Sequence, residues 1–127
     1  MNIYFLLSAL LLLLLAFAHA WWGEKKVFPR IRKVDLTAST YLSVYVPWHQ
    51  LTWVLALSAF FLFLAAFWKE GLISLVFFIL LVLIGNLIIF TVLCLKRGEV
   101  KLITKSVPQY ILFGLTIVLI LIGLFQG

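Results

Sequence analysis

Residues 51–95 read LTWVLALSAFFLFLAAFWKEGLISLVFFILLVLIGNLIIFTVLCL. Two uncharged apolar runs, 51–68 and 71–95, are separated only by Lys69-Glu70. About 20 apolar residues suffice to cross the roughly 30 Å hydrocarbon core of a bilayer as a helix. A helix also satisfies its own backbone groups, which lipid cannot do. The pair therefore predicts a transmembrane helical hairpin with a tight turn at one membrane face. One apolar run precedes it, at 3–22, and one follows, at 109–126.

The composition points the same way. Of 127 residues, 66% are hydrophobic and only 11% charged, with a mean hydropathy of +1.26. Soluble domains average about 25% charged and 45–50% apolar residues. The expectation is an all-α, multi-pass integral membrane protein: four transmembrane helices in one domain spanning 1–127, without a separate soluble catalytic module.

The net charge of +6 is not spread as a nucleic-acid-binding surface would spread it. Nine of the ten Lys and Arg fall in two short segments, Lys25, Lys26, Arg30, Arg32 and Lys33, then Lys96, Arg97, Lys101 and Lys105. Such clustering beside apolar runs marks cytoplasmic loops, here 23–48 and 96–107. Residues 18–20, Ala-His-Ala, offer a signal-peptidase site after an apolar core, but the n-region lacks Lys and Arg. Cleavage would also put both basic segments outside, against the positive-inside rule. Retaining 3–22 as a helix places both basic loops inside and both termini outside, with Lys69-Glu70. Trp21, Trp22, Trp48, Trp53 and Tyr110 then fall at the inner interface, with Tyr4 and Trp68 at the outer one, as aromatic belts do.

Residues 23–48 allow two readings. Gly23 and Pro29 suggest a break, and Pro47 suits the first turn of the second helix. Between them, 36–46 alternates apolar with polar residues as a strand does. Val34, Ala38, Tyr41, Leu42 and Tyr45 also form a helical stripe, with Asp35 as N-cap. The chain offers no second strand to pair with, which favours a helix or extended segment along the inner surface.

Chemistry is sparse. No Asp, Glu, Lys or Arg lies in 51–68, 71–95 or 108–127, so the intramembrane acid of a proton-coupled transporter is missing. There is no phosphate-binding glycine loop, nucleophile elbow, carboxylate pair or Cys/His cluster, and the chain does not read as an enzyme. The acids Glu24, Asp35, Glu70 and Glu99 sit in loops beside Lys or Arg. Cys94 is the only cysteine, so no intrachain disulfide is possible. His19 and His49 share an inner depth and are candidates for haem or metal ligation, although the pattern calls for no cofactor. Asn86 with Gly85, Ser58, Ala59 and Gly114 are candidates for helix packing or for lining a pore. Lys25, Lys26, Arg30, Arg32, Lys33, Lys96 and Arg97 are candidates for anionic headgroup contact. The expected role is a small accessory subunit of a larger membrane complex, in contact with membrane lipids and other integral subunits. The alternatives are a homo-oligomeric, holin-like pore and a haem-carrying electron-transfer subunit using His19 and His49.

Overall fold

Every long apolar run of the chain forms a helix in the computed structural model, which describes residues 1–126. The chain is 89% helical with no strand among the described residues. The elements are α1 (Ile3–Trp22), a π-helical turn (Gly23–Val27), α2 (Phe28–Ile31), α3 (Ala38–Phe67), α4 (Lys69–Lys96), α5 (Val100–Lys105) and α6 (Val107–Phe125). Four helices are long and apolar enough to cross a membrane, the first running without a break over Ile3–Ile31. They form an up-down-up-down bundle in which α1 packs on α3 and α6, and α4 packs on the same two.

One end of the bundle carries the chain start, the α3–α4 turn and Gln126. Here Asn2 caps α1 by accepting from the backbone N–H of Tyr4 and Phe5. Its own backbone N–H reaches the Ala66 carbonyl at 2.6 Å, and its Nδ2 donates to the Gly123 carbonyl at 2.8 Å. Lys69 Nζ donates to the carbonyls of Leu124 and Gln126. The opposite end carries both basic segments, the α1 extension and the start of α3.

The core follows a three-four spacing on each helix, as in bundles packed knobs-into-holes. Phe5, Ser8, Leu12 and Leu15 are buried on α1, Leu55, Ser58, Leu62 and Ala65 on α3, and Phe113, Thr116, Ile120 and Gly123 on α6. The bonds Asn2–Ala66 and His19–Thr52 fix the antiparallel register of α1 and α3. That register sets Ser8-Ala9 across from Leu62, and Leu12 across from Ser58-Ala59. Small residues on each helix thus face a leucine on the other, which lets the backbones approach while leaving no void.

Several local expectations change. Of the two readings of 36–46 the helix holds from Ala38 on, but its cap is Thr37 rather than Asp35; the Thr37 hydroxyl accepts from Thr40 N–H at 3.2 Å. Pro47 lies inside α3, not at its start, although an interior proline removes one backbone bond and costs about 3 kcal/mol. The offsetting contact is Phe28, wholly buried against Tyr41, Tyr45, Trp48 and His49 of α3. Gly23 and Pro29 do not break the first helix. The wider π turn, with Phe28 N–H bonded to Gly23 carbonyl, inserts a residue and swings Phe28 inward.

The α3–α4 turn is tighter than a Lys-Glu loop, since Trp68 alone is non-helical between them. Gly71 permits this, because any Cβ there would collide with the Trp68 indole. At the other end α4 closes with Gly98 at φ +70 and Glu99 N–H bonded to the Cys94 carbonyl, a Schellman cap that favours glycine.

The glycines expected at close helix approaches are corrected in part. A Cβ on Gly85 or Gly114 would meet no atom within 4 Å, whereas on Gly123 it would lie 2.6 Å from Phe5 Cε1. Gly123→Leu should therefore lower the unfolding free energy in detergent by about 1–3 kcal/mol, the usual range for overpacking. Gly114→Leu should leave stability equal or slightly higher, as removing a helical glycine does.

Candidate functional site

The chemistry-bearing side chains gather at the basic end, where the α1 extension lies against the first turns of α3. Glu24, in the π turn, is the hub. Its Oε1 accepts from the Tyr45 hydroxyl at 2.7 Å and lies 3.0 Å from His49 Nε2. Its Oε2 lies 3.8 Å from Arg32 Nη2. Arg32 in turn donates from Nε to the Tyr41 hydroxyl at 3.0 Å, with its guanidinium 5.8 Å from the Tyr41 ring centroid. The Tyr41 hydrogen bond holds the Arg32 guanidinium above its ordinary pKa.

These contacts follow from the local fold. Tyr41, Tyr45 and His49 recur every four residues and so share one face of α3. Tyr41 and Tyr45 stack with centroids 5.4 Å apart, and Tyr45 meets His49 edge-on at 4.5 Å. The π turn aims both Glu24 and Phe28 at that face.

One layer deeper, Trp48 packs against α1. Its ring stacks on His19 at 4.3 Å, and its Nε1 donates to the His19 carbonyl at 3.1 Å. His19 Nδ1 pairs with Thr52 Oγ1 at 2.9 Å, and the Thr52 hydroxyl donates to the Trp48 carbonyl at 3.2 Å. Gly23 is what lets this knot close, since a Cβ there would sit 2.8 Å from Trp48 Cε2. Trp21, Trp22 and Trp53, in contrast, are exposed.

Both histidines thus stand at one end of the bundle, on facing helices, but each already has protein partners. His19 is stacked and hydrogen-bonded, and His49 holds its Nε2 against a carboxylate. Among the described residues no group of three or more His, Cys, Asp or Glu is placed to hold a metal ion. The arrangement is a paired polar knot that clasps two helices.

The mid-helix polar residues turn back on their own helices. Asn86 Nδ2 donates to the Val82 carbonyl at 2.8 Å, Thr116 to Leu112 at 2.8 Å, and Ser8 to Tyr4 at 2.7 Å. Among the described residues Asn86 makes no hydrogen bond to another helix; an interhelical one joins Thr91 and the Tyr110 hydroxyl instead. Ser58 and Ala59 are buried in the α1–α3 seam, and no open channel runs beside them, because Leu12, Leu55, Leu62 and Ile79 fill that layer. The surface has shallow concavities. One of about 430 Å3 lies among Asn2, Trp68, Lys69 and Gln126, and one of about 460 Å3 among Tyr45, His49, Gln50 and Trp53.

The Glu24 knot went unread in the sequence because its partners lie 8, 21 and 25 positions away. The signal available was the Tyr41, Tyr45, His49 spacing on a single helical face. No protein family, characterised protein or solved structure matches the chain.

Replacing Glu24 by Leu strands the Tyr45 hydroxyl, His49 and Arg32 at once. The expected result is a modest loss of stability, limited by solvent access to the knot. Backbone amide exchange should rise over 23–50 and stay unchanged over 55–66. Equal acceleration in both stretches would show that the knot is not a separate clasp.

Proposed function

We propose that this chain is a multi-pass integral membrane protein that serves as a small accessory subunit of a larger membrane complex, packing and sealing rather than catalysing. The observation that carries the reading is the outer surface of the bundle. Phe60, Phe63, Phe77, Phe78, Leu81, Ile88 and Ile89 are all exposed along the length of the long helices, a continuous apolar belt that water would not tolerate. The interior supports the rest: Ser8, Asn86 and Thr116 in the spans bond within their own helices, and leucine and isoleucine fill the core.

Lengths agree with insertion. The 19 residues of α6 measure roughly 28 Å at 1.5 Å per residue, close to the hydrocarbon thickness. The 30 residues of α3 measure roughly 45 Å. Its first ten or so residues, with Ser39, Thr40, Tyr41 and Ser43, therefore stand beyond the slab, where the sequence turns polar. In this reading the basic end is cytoplasmic and the end with Asn2 and Lys69-Glu70 is outside. It requires α1 to stay attached, and the packing of both α3 and α6 on α1 supports that.

Topology is tested by labelling. In a Cys94→Ser background, Glu70→Cys should react with a membrane-impermeant maleimide on intact cells, and Asp35→Cys only after lysis. The reverse pattern would overturn the orientation. The subunit role is tested by mass measurement on the detergent-solubilised particle, which should contain unlike chains. Several identical copies alone would replace this reading with a homo-oligomeric pore, and a Soret band would replace it with a haem carrier using His19 and His49.

A further inference from the structure

Nine of the ten Lys and Arg and three of the four acids lie at the basic end, while Lys69 and Glu70 balance at the other. The whole formal net charge of +6 is therefore at one end. Glu24 is engaged by Tyr45, His49 and Arg32. Among the described residues, none of the remaining eight cations has a carboxylate within 4.0 Å, and all eight are exposed.

From this placement we propose that the basic end binds the headgroups of anionic phospholipids. The binding groups are Lys25, Lys26, Arg30 and Lys33 on and just past the α1 extension, and Lys96 and Arg97 where α4 ends; Arg32 is not among them. The inference rests on the membrane reading above. Depth argues for it: Lys25 and Lys26 follow the exposed Trp21 and Trp22 within about one turn, and Lys96 directly follows the apolar length of α4. Indole rings prefer the interface, so these ammonium groups stand at the level of lipid phosphates. Lys101 and Lys105 of α5 share one helical face, with Val100 and Leu102 exposed beside them. A short helix of that pattern suits the boundary between headgroups and acyl chains. Arg32 differs in kind, because its guanidinium is already committed to Tyr41 and Glu24. A soluble polyanion is the competing occupant, but the charges border the apolar belt on which a leaflet sits.

The test uses the full chain reconstituted in phosphatidylcholine vesicles with a trace of pyrene-labelled lipid, reading energy transfer from tryptophan. Pyrene-phosphatidylglycerol should accept energy roughly twofold or more better than pyrene-phosphatidylcholine, and high salt should abolish the difference. The variant carrying Lys25→Gln, Lys26→Gln, Lys96→Gln and Arg97→Gln should approach parity, while Arg32→Gln retains the preference. Equal transfer from both lipids, a preference that ignores salt, or a loss in Arg32→Gln as large as in the fourfold variant would overturn the proposal. So would abolition of the preference by a stoichiometric short RNA. Flotation of the same vesicles after alkaline carbonate reports insertion by itself. A chain that fails to float overturns the membrane reading, and one that floats without lipid preference overturns only this proposal.

Discussion

The antiparallel seam between α1 and α3 is the interaction on which the other elements depend. Its two faces are nearly the same text: Leu7-Ser8-Ala9 and Leu57-Ser58-Ala59, Leu12 and Leu62, Ala16-Phe17 and Ala66-Phe67, each pair 50 positions apart. Run antiparallel in the observed register, the two copies are complementary, with small residues against leucine in both directions. Close approach over that length maximises dispersion contact, which is the main attraction between helices when the surroundings are as apolar as the side chains. Helix α6 then closes on α1 through Gly123 under Phe5, and α4 follows α3 through the Trp68 turn.

The seam also explains the cap at the basic end. Two helices held in register for their apolar length continue side by side beyond it, and the extension needs its own adhesive. Phe28 among four rings, and Glu24 among Tyr45, His49 and Arg32, supply it. Tertiary contact therefore carries α3 through Pro47 and α1 through Gly23, where local propensity alone would stop both. The opposite end is held by polar groups from the chain start, with Asn2 joining three helices through its backbone and side chain.

Class and helix count were legible because apolar run length is a local property. The 51–68 and 71–95 runs could hardly be anything but helices. The fate of 23–48 was not legible, since its helix depends on Phe28 meeting residues 13 to 21 positions later. Glycines illustrate the limit more sharply. Gly85 and Gly123 each follow Leu-Ile, yet one faces open space and the other lies under Phe5. Only the arrangement of neighbouring helices separates them. The packing of Trp48 was hidden for the same reason: its ring stacks on His19, a partner 29 positions away. The 50-residue repeat, in contrast, was readable from the letters and would have named the core face of both helices.

The central claim is that Leu12 and Ala59 occupy one shared volume across the seam. A double-mutant cycle on unfolding in mixed micelles measures this directly, using Leu12→Ala, Ala59→Leu and the pair together. Each single change should destabilise by about 2 kcal/mol or more, one by leaving a cavity and the other by overfilling. The pair should recover at least about 1 kcal/mol of the summed loss, as contacting residues do. Strict additivity of the two losses would contradict the register and the account built on it.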